Sequence, residues 1–124
     1  LELLKADSTA FVLVTSPRRD AIDEAGFFAR KLGESGIGVD GLVVNRLHPR
    51  FGDAPVPEGL GPLGANLADF RAIAAREDHH VEQLTCQIAP APVARVPFLA
   101  DDVHDIEGLD VIGRYLFGSS RAGA

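Results

Sequence analysis

Asn45 and Arg46, near the middle of the chain, carry side chains suited to recognition rather than packing, and they close the apolar run Gly41-Leu42-Val43-Val44. An Asn amide presents a donor and an acceptor side by side, which matches the N6/N7 edge of adenine. At the end of a strand the same amide can instead bond a turn of its own backbone, and the residue alone does not separate these two uses. A second apolar segment, Pro97-Phe98-Leu99, follows the short β-type run Val93-Ala94-Arg95-Val96. In an open α/β sheet, ligands bind at the carboxyl ends of the strands. With both strand ends near each other, Asn45, Arg46, Pro97, Phe98 and Leu99 would outline an apolar slot with one amide, which is a purine pocket.

Other chemistry-bearing residues carry less. His79 and His80 are adjacent, so on a helix they project about 100° apart and do not share a metal as residues at i and i+4 do. With the isolated His48 and His104 they read as solvated surface. The single cysteine, Cys86, excludes an internal disulfide and any Cys-x-x-Cys site, and it reads as a small apolar residue. There is no Gly-x-x-x-x-Gly-Lys-Ser/Thr loop, the glycines between 52 and 64 do not lead from a strand into a helix, and no Ser-His-Asp arrangement stands in recognisable context. No catalytic residue and no metal ligand is assigned.

The elements that must position Asn45 follow from periodicity. Residues 1–8 read as a helix end, with Leu1 and Leu4 three apart. Residues 10–15 form a strand, Ala-Phe-Val-Leu-Val-Thr, apolar on both faces as in a sheet covered on both sides. Ser16 or Asp20 can cap the helix that follows, in which Ile22, Ala25, Phe28 (or Ala29) and Leu32 share a face and Gly33 and Gly36 mark the end. The strand 39–46 completes a βαβ unit with a right-handed crossover. From His48 to Gly64 prolines alternate with glycines, so a flexible loop is expected over 48–64. Helical period returns from Ala65 to about Leu84, a strand occupies 93–96, and Asp101 or Asp102 can cap a last helix through Ile106, Leu109 and Leu116. Residues 118–124 are small and are expected to be a disordered tail. No internal repeat is evident.

Composition bounds the partners. The chain has 124 residues, enough for one domain with a real core, and 46% are apolar. A net charge of −6 disfavours nucleic acid, which requires a cationic surplus. No apolar stretch approaches the roughly 18–20 residues that span a bilayer, so no stable membrane insertion is expected. The cysteine usage fits a reducing, intracellular compartment. The chain starts at Leu1 and contains no methionine, and it therefore reads as a piece of a longer protein.

In order, the segments resemble the C-terminal half of the ATPase domain in the arsenite-pump and guided-entry (tail-anchored protein targeting) ATPase family, within the MinD-like branch of P-loop NTPases. Phe11-Val12-Leu13-Val14-Thr15-Ser16-Pro17 is similar to the family's strand ending in Val-Thr-x-Pro-Glu, with Arg18 in place of the acidic residue. Leu42-Val43-Val44-Asn45-Arg46 resembles its Val-Val-Asn-Gln/Arg segment, whose Asn contacts adenine. Val93 to Leu99, followed by Asp101-Asp102-Val103 and Ile106-Glu107-Gly108-Leu109, is similar to its Val-Pro-Leu-Leu adenine loop and final helix. Only residues 48–64 are unmatched.

The resemblance implies a three-layer, partial P-loop NTPase-like α/β domain with about three parallel strands flanked by helices. Residues 1–124 would form the C-terminal portion of a cytoplasmic, anion-transporting ATPase and would supply the adenine-binding side of its site through Asn45, Arg46, Pro97, Phe98 and Leu99. ATP and Mg2+ are implied for the whole protein and none is expected to stay bound to this piece alone, which at most binds adenine nucleotide weakly and should not hydrolyse ATP. Adenine nucleotide is the implied partner, with a homodimer or a paired homologue in the full-length protein. The family's phosphate loop and switch regions lie upstream of the matched half. Its zinc-binding Cys-x-x-Cys and arsenite-binding cysteines have no counterpart here. A non-catalytic interaction or regulatory module built on the same fold is the alternative.

Overall fold

The computed structural model describes residues 2–118. Three strands, β1 (Val12–Thr15), β2 (Gly41–Leu47) and β3 (Val93–Pro97), form one parallel sheet in the order β1-β2-β3. Helix α1 (Arg19–Glu34) connects β1 to β2, α2 (Pro62–Thr85) connects β2 to β3, and α3 (Ile106–Phe117) follows β3. This is a small three-layer α/β domain.

Right-handed crossovers that progress in one direction across a parallel sheet place their helices on the same face. Accordingly α1 and α2 pack against each other and against β1 and β2. Leu42 and Val44, alternating along β2, bury their side chains there with Ile22 and Ala25 of α1 and Val81 and Leu84 of α2. Val44 and Leu84 have no exposed surface at all. Leu13 and Ile88 close the margins of this core.

The opposite face is only partly covered. Helix α3 packs against β3, leaving an apolar groove of about 570 Å³ between its Tyr115 and Phe117 and the floor formed by Val12, Gly41 and Val43. Val12 is 58% exposed and Val14 63%. The expectation of a first strand covered on both faces is therefore corrected: alternation sends Leu13 inward and its neighbours to a side with no helix above them.

Several element ends also differ from the sequence reading. The N-terminal segment makes one 3-10 turn, Leu3–Lys5, in place of a helix end. Arg18, not Ser16 or Asp20, precedes the first turn of α1. Pro62 takes the first turn of α2, inside the stretch expected to be loop, where its missing N–H has no intrahelical bond to lose. Asp105, not Asp101 or Asp102, caps α3, its Oδ1 accepting from the Gly108 N–H at 2.8 Å. Of the tail expected over 118–124, all but Gly118 lies outside the described residues.

Residues 48–61 form no regular element and lie along α2. The Arg71 guanidinium donates to the carbonyl oxygens of Ala54 at 2.6 Å and Phe51 at 3.5 Å. Asp78 receives Arg50 from the same segment at 2.6 Å and Arg95 from β3, so one carboxylate ties loop and sheet to the helix.

Leu84→Ala should lower the free energy of unfolding by about 2–5 kcal/mol, whereas Val14→Thr on the open face should change it by less than about 0.5 kcal/mol. Urea denaturation of both variants measures the contrast, and equal losses would show that the core is not the α1–α2 side of the sheet.

Candidate functional site

The carboxyl end of β2 departs from regular pairing. Val44 lies opposite Arg95, but Leu47 lies opposite Pro97, so β2 holds one residue more than β3 across this interval. That extra residue is a β-bulge, and it resets which face each following side chain meets. Leu47 returns to the core beside Leu42 and Val44, while Asn45 and Arg46 are both exposed. Arg46 absorbs the irregularity with a φ of 61°, a left-handed conformation that costs a non-glycine residue roughly 1–2 kcal/mol. The Asn45 side chain supports the turn by accepting the Arg46 N–H at its Oδ1, at 2.8 Å. Of the two uses open to Asn45, the structure displays the backbone-bonding one.

Beyond the bulge the three strand ends open onto a cleft of about 460 Å³. Ser16, Pro17 and Arg18 enter it from the end of β1, Asp20 and Glu24 from α1, Arg46 and His48 from the end of β2, Phe98 from the end of β3, and Glu77 from α2. Of the residues expected to form a purine slot, Arg46 and Phe98 thus share one cleft. Asn45 stands beside it without lining it, Pro97 ends β3 opposite Leu47, and Leu99 faces a separate hollow bounded by Asp101, Val103 and Val111. Parallel pairing brings Asn45 and Pro97 to the same end of the sheet.

Two residues read from sequence as solvated surface belong to this region. His48 is half-buried, and Glu77 holds it twice: Oε2 accepts the His48 backbone N–H at 2.8 Å, and Oε1 lies 2.6 Å from Nδ1. The Glu77 side chain is only 12% exposed, so these two donors replace most of its water. The Phe98 ring meets the imidazole edge-on, 5.1 Å between centroids, and Phe70 flanks the histidine at 6.4 Å. His80 has its Nδ1 3.0 Å from the carbonyl oxygen of Pro17 and so pins the turn after β1 to α2. Nothing local in the sequence marks Glu77 as the partner of His48, because the two are 29 residues apart. The one available signal is that His48 directly follows a strand end.

Charge in the cleft is mixed. Arg18 is turned back onto Asp20, its Nη2 donating at 2.7 Å. That guanidinium, with the Ala21 N–H, holds the Asp20 carboxyl below its ordinary pKa. Arg46 has no ion-pair partner among the described residues. The cleft therefore combines an unpaired guanidinium, an imidazole oriented by a carboxylate, and the apolar surfaces of Pro17 and Phe98. Such a set combines apolar surface with a few convergent polar groups, the general pattern of small-molecule sites. Among the described residues no three His, Cys, Asp or Glu side chains are grouped to hold a metal ion.

Compared with known proteins, the chain matches no family model, and no curated protein matches it.

Two measurements check this geometry. Arg46→Gly should raise stability by about 0.5–1 kcal/mol in urea denaturation, because glycine enters the left-handed region without strain; a loss of that size would mean that the guanidinium supports the fold. For Asp20, the depressed folded-state pKa means a stabilising contribution present above its unfolded pKa and lost as pH falls through the folded value. Carbon-13 NMR titration should find the Asp20 midpoint lower in the wild type than in Arg18→Ala, and coincident midpoints would contradict the assigned pairing.

Proposed function

We propose that the chain is the adenine-binding side of the nucleotide site in an ATPase resembling the arsenite-pump and guided-entry family. The observation that carries this reading is the convergence of Arg46, Phe98 and the Ser16-Pro17-Arg18 turn on one cleft at the carboxyl edge of a parallel sheet, the edge at which such sheets hold ligands. Phe98 and Pro17 offer apolar surface for a purine ring, and Arg46 offers a guanidinium with no ion-pair partner among the described residues. The segments that resemble the family's Val-Thr-x-Pro, Val-Val-Asn and Val-Pro motifs supply the three strand ends.

In this reading ATP is held jointly. The chain recognises the base, and a phosphate-binding loop outside these 124 residues grips the phosphates and performs phosphoryl transfer to water with Mg2+. The contribution of Asn45 is to shape the bulge that presents Arg46, with its amide nitrogen left to a ligand that approaches from the rim. The whole protein would work in the cytoplasm as an anion-transporting ATPase, alone or paired with a homologue.

A second reading rests on a different feature. The apolar groove between Val12, Val43 and Tyr115 favours a non-catalytic interaction module of the same fold.

Chemical-shift titration of the 124-residue chain with AMP distinguishes the two. The expected result is saturable perturbation of amides at Arg18, Arg46, His48 and Phe98, weakened about tenfold by Phe98→Ala, which removes an aromatic contact worth on the order of 1–3 kcal/mol per stacked base. Perturbation confined to Val12, Val43 and Tyr115, or none at all, would defeat the adenine reading.

A further inference from the structure

Within the cleft the least ambiguous polar group is the imidazole of His48. Its orientation is fixed from two directions, because the Glu77 carboxylate binds both the backbone N–H and Nδ1 of the same residue. An ionised carboxylate only accepts hydrogen bonds. The backbone N–H already occupies Oε2, and Oε1 then requires a proton on Nδ1. In the neutral imidazole that assignment leaves Nε2 as an acceptor and nothing else. Nε2 has no hydrogen-bond partner among the described residues, and it is not among their buried polar atoms. The ring lines the same cleft as Phe98 and Arg46, with Phe98 set edge-on against it at 64° between planes.

We propose that His48 is a specificity-determining residue of this site: its Nε2, the acceptor of the neutral imidazole once Glu77 holds the proton on Nδ1, selects purines that carry an exocyclic amino group at C6. Adenine has an N–H donor at that position, whereas a 6-oxo purine has a carbonyl oxygen that can only accept. Two acceptors face to face leave both unpaired, and unpaired polar groups in a partly desolvated site discriminate more strongly than added contacts do. The Phe98 ring, half exposed beside the imidazole, gives the base apolar surface without a competing polar group. The inference rests on the adenine reading of the cleft and adds to it the residue that reads the base. His48 opens the one stretch, residues 48–64, that the resemblance to the ATPase family leaves unmatched.

Adenosine and purine riboside, which differ only by the 6-amino group, provide the probe pair. Titrated into the full 124-residue chain and followed by NMR, adenosine should bind about five- to tenfold more tightly, the equivalent of one net hydrogen bond. Glu77→Gln keeps size and removes charge. Its carbonyl oxygen can hold the His48 backbone N–H while its amide donates to Nδ1, which moves the imidazole proton to Nε2. The preference for adenosine should then fall to about one or below, with purine riboside affinity unchanged. Nitrogen-15 spectra of the imidazole report the tautomer independently of binding: the wild type should show Nδ1 protonated and Nε2 bare.

A wild-type spectrum with the proton on Nε2, or equal affinities for the two nucleosides in wild type and variant alike, overturns the role of His48 while leaving the adenine reading standing. Absence of binding by either nucleoside overturns both together.

Discussion

A central strand of a parallel sheet has to keep its side chains in register with two neighbours and one core, and β2 meets that demand by adding a residue. Without the bulge, strict alternation after Val44 would turn Leu47 away from Leu42 and Val44 and toward the other face. With it, Leu47 rejoins the core formed by α1 and α2, and the polar pair Asn45-Arg46 is left outside. The burial of Leu47 thus comes with the presentation of Arg46. The left-handed Arg46 is the local cost, and the Asn45 amide offsets part of it by bonding the turn.

Helix α2 is the second organising element, and it acts through a sequence of tethers. Arg71 binds the segment 48–61 through its carbonyls, Glu77 orients His48, Asp78 joins Arg50 to Arg95, and His80 meets Pro17. These contacts radiate from a helix that also buries Val81 and Leu84 in the core. The cleft therefore depends on core packing indirectly: the helix that fixes the imidazole and the β1 turn is itself held by apolar burial. Loss of that burial would loosen the site as well as the fold.

The repeating parts of this structure were legible in the sequence because they follow from period. Apolar runs at 10–15, 39–46 and 93–96 mark the strands, and the faces carrying Ile22 with Ala25 and Val81 with Leu84 mark the helices that cover them. Sequence alone also directs attention to Asn45, Arg46 and Phe98. It does not reveal that β1 is bare on one face, since an apolar run looks the same whether or not a helix lies above it. Nor does it reveal the bulge, which depends on the register of β2 against β3. His48 and Glu77 were illegible for a related reason, because their pairing is set by how the loop after β2 lies on α2. Caps were missed by a few residues where several acidic candidates preceded one helix, as with Asp101, Asp102 and Asp105 before α3.

The purine site we propose is the cleft at the strand ends, not the apolar groove on the open sheet face. Intermolecular NOEs between adenosine and the isotopically labelled chain test it most directly. Cross-peaks are expected from the base protons H2 or H8 to the rings of Phe98 and His48. Cross-peaks to Val12, Val43 and Tyr115 in their place would contradict it.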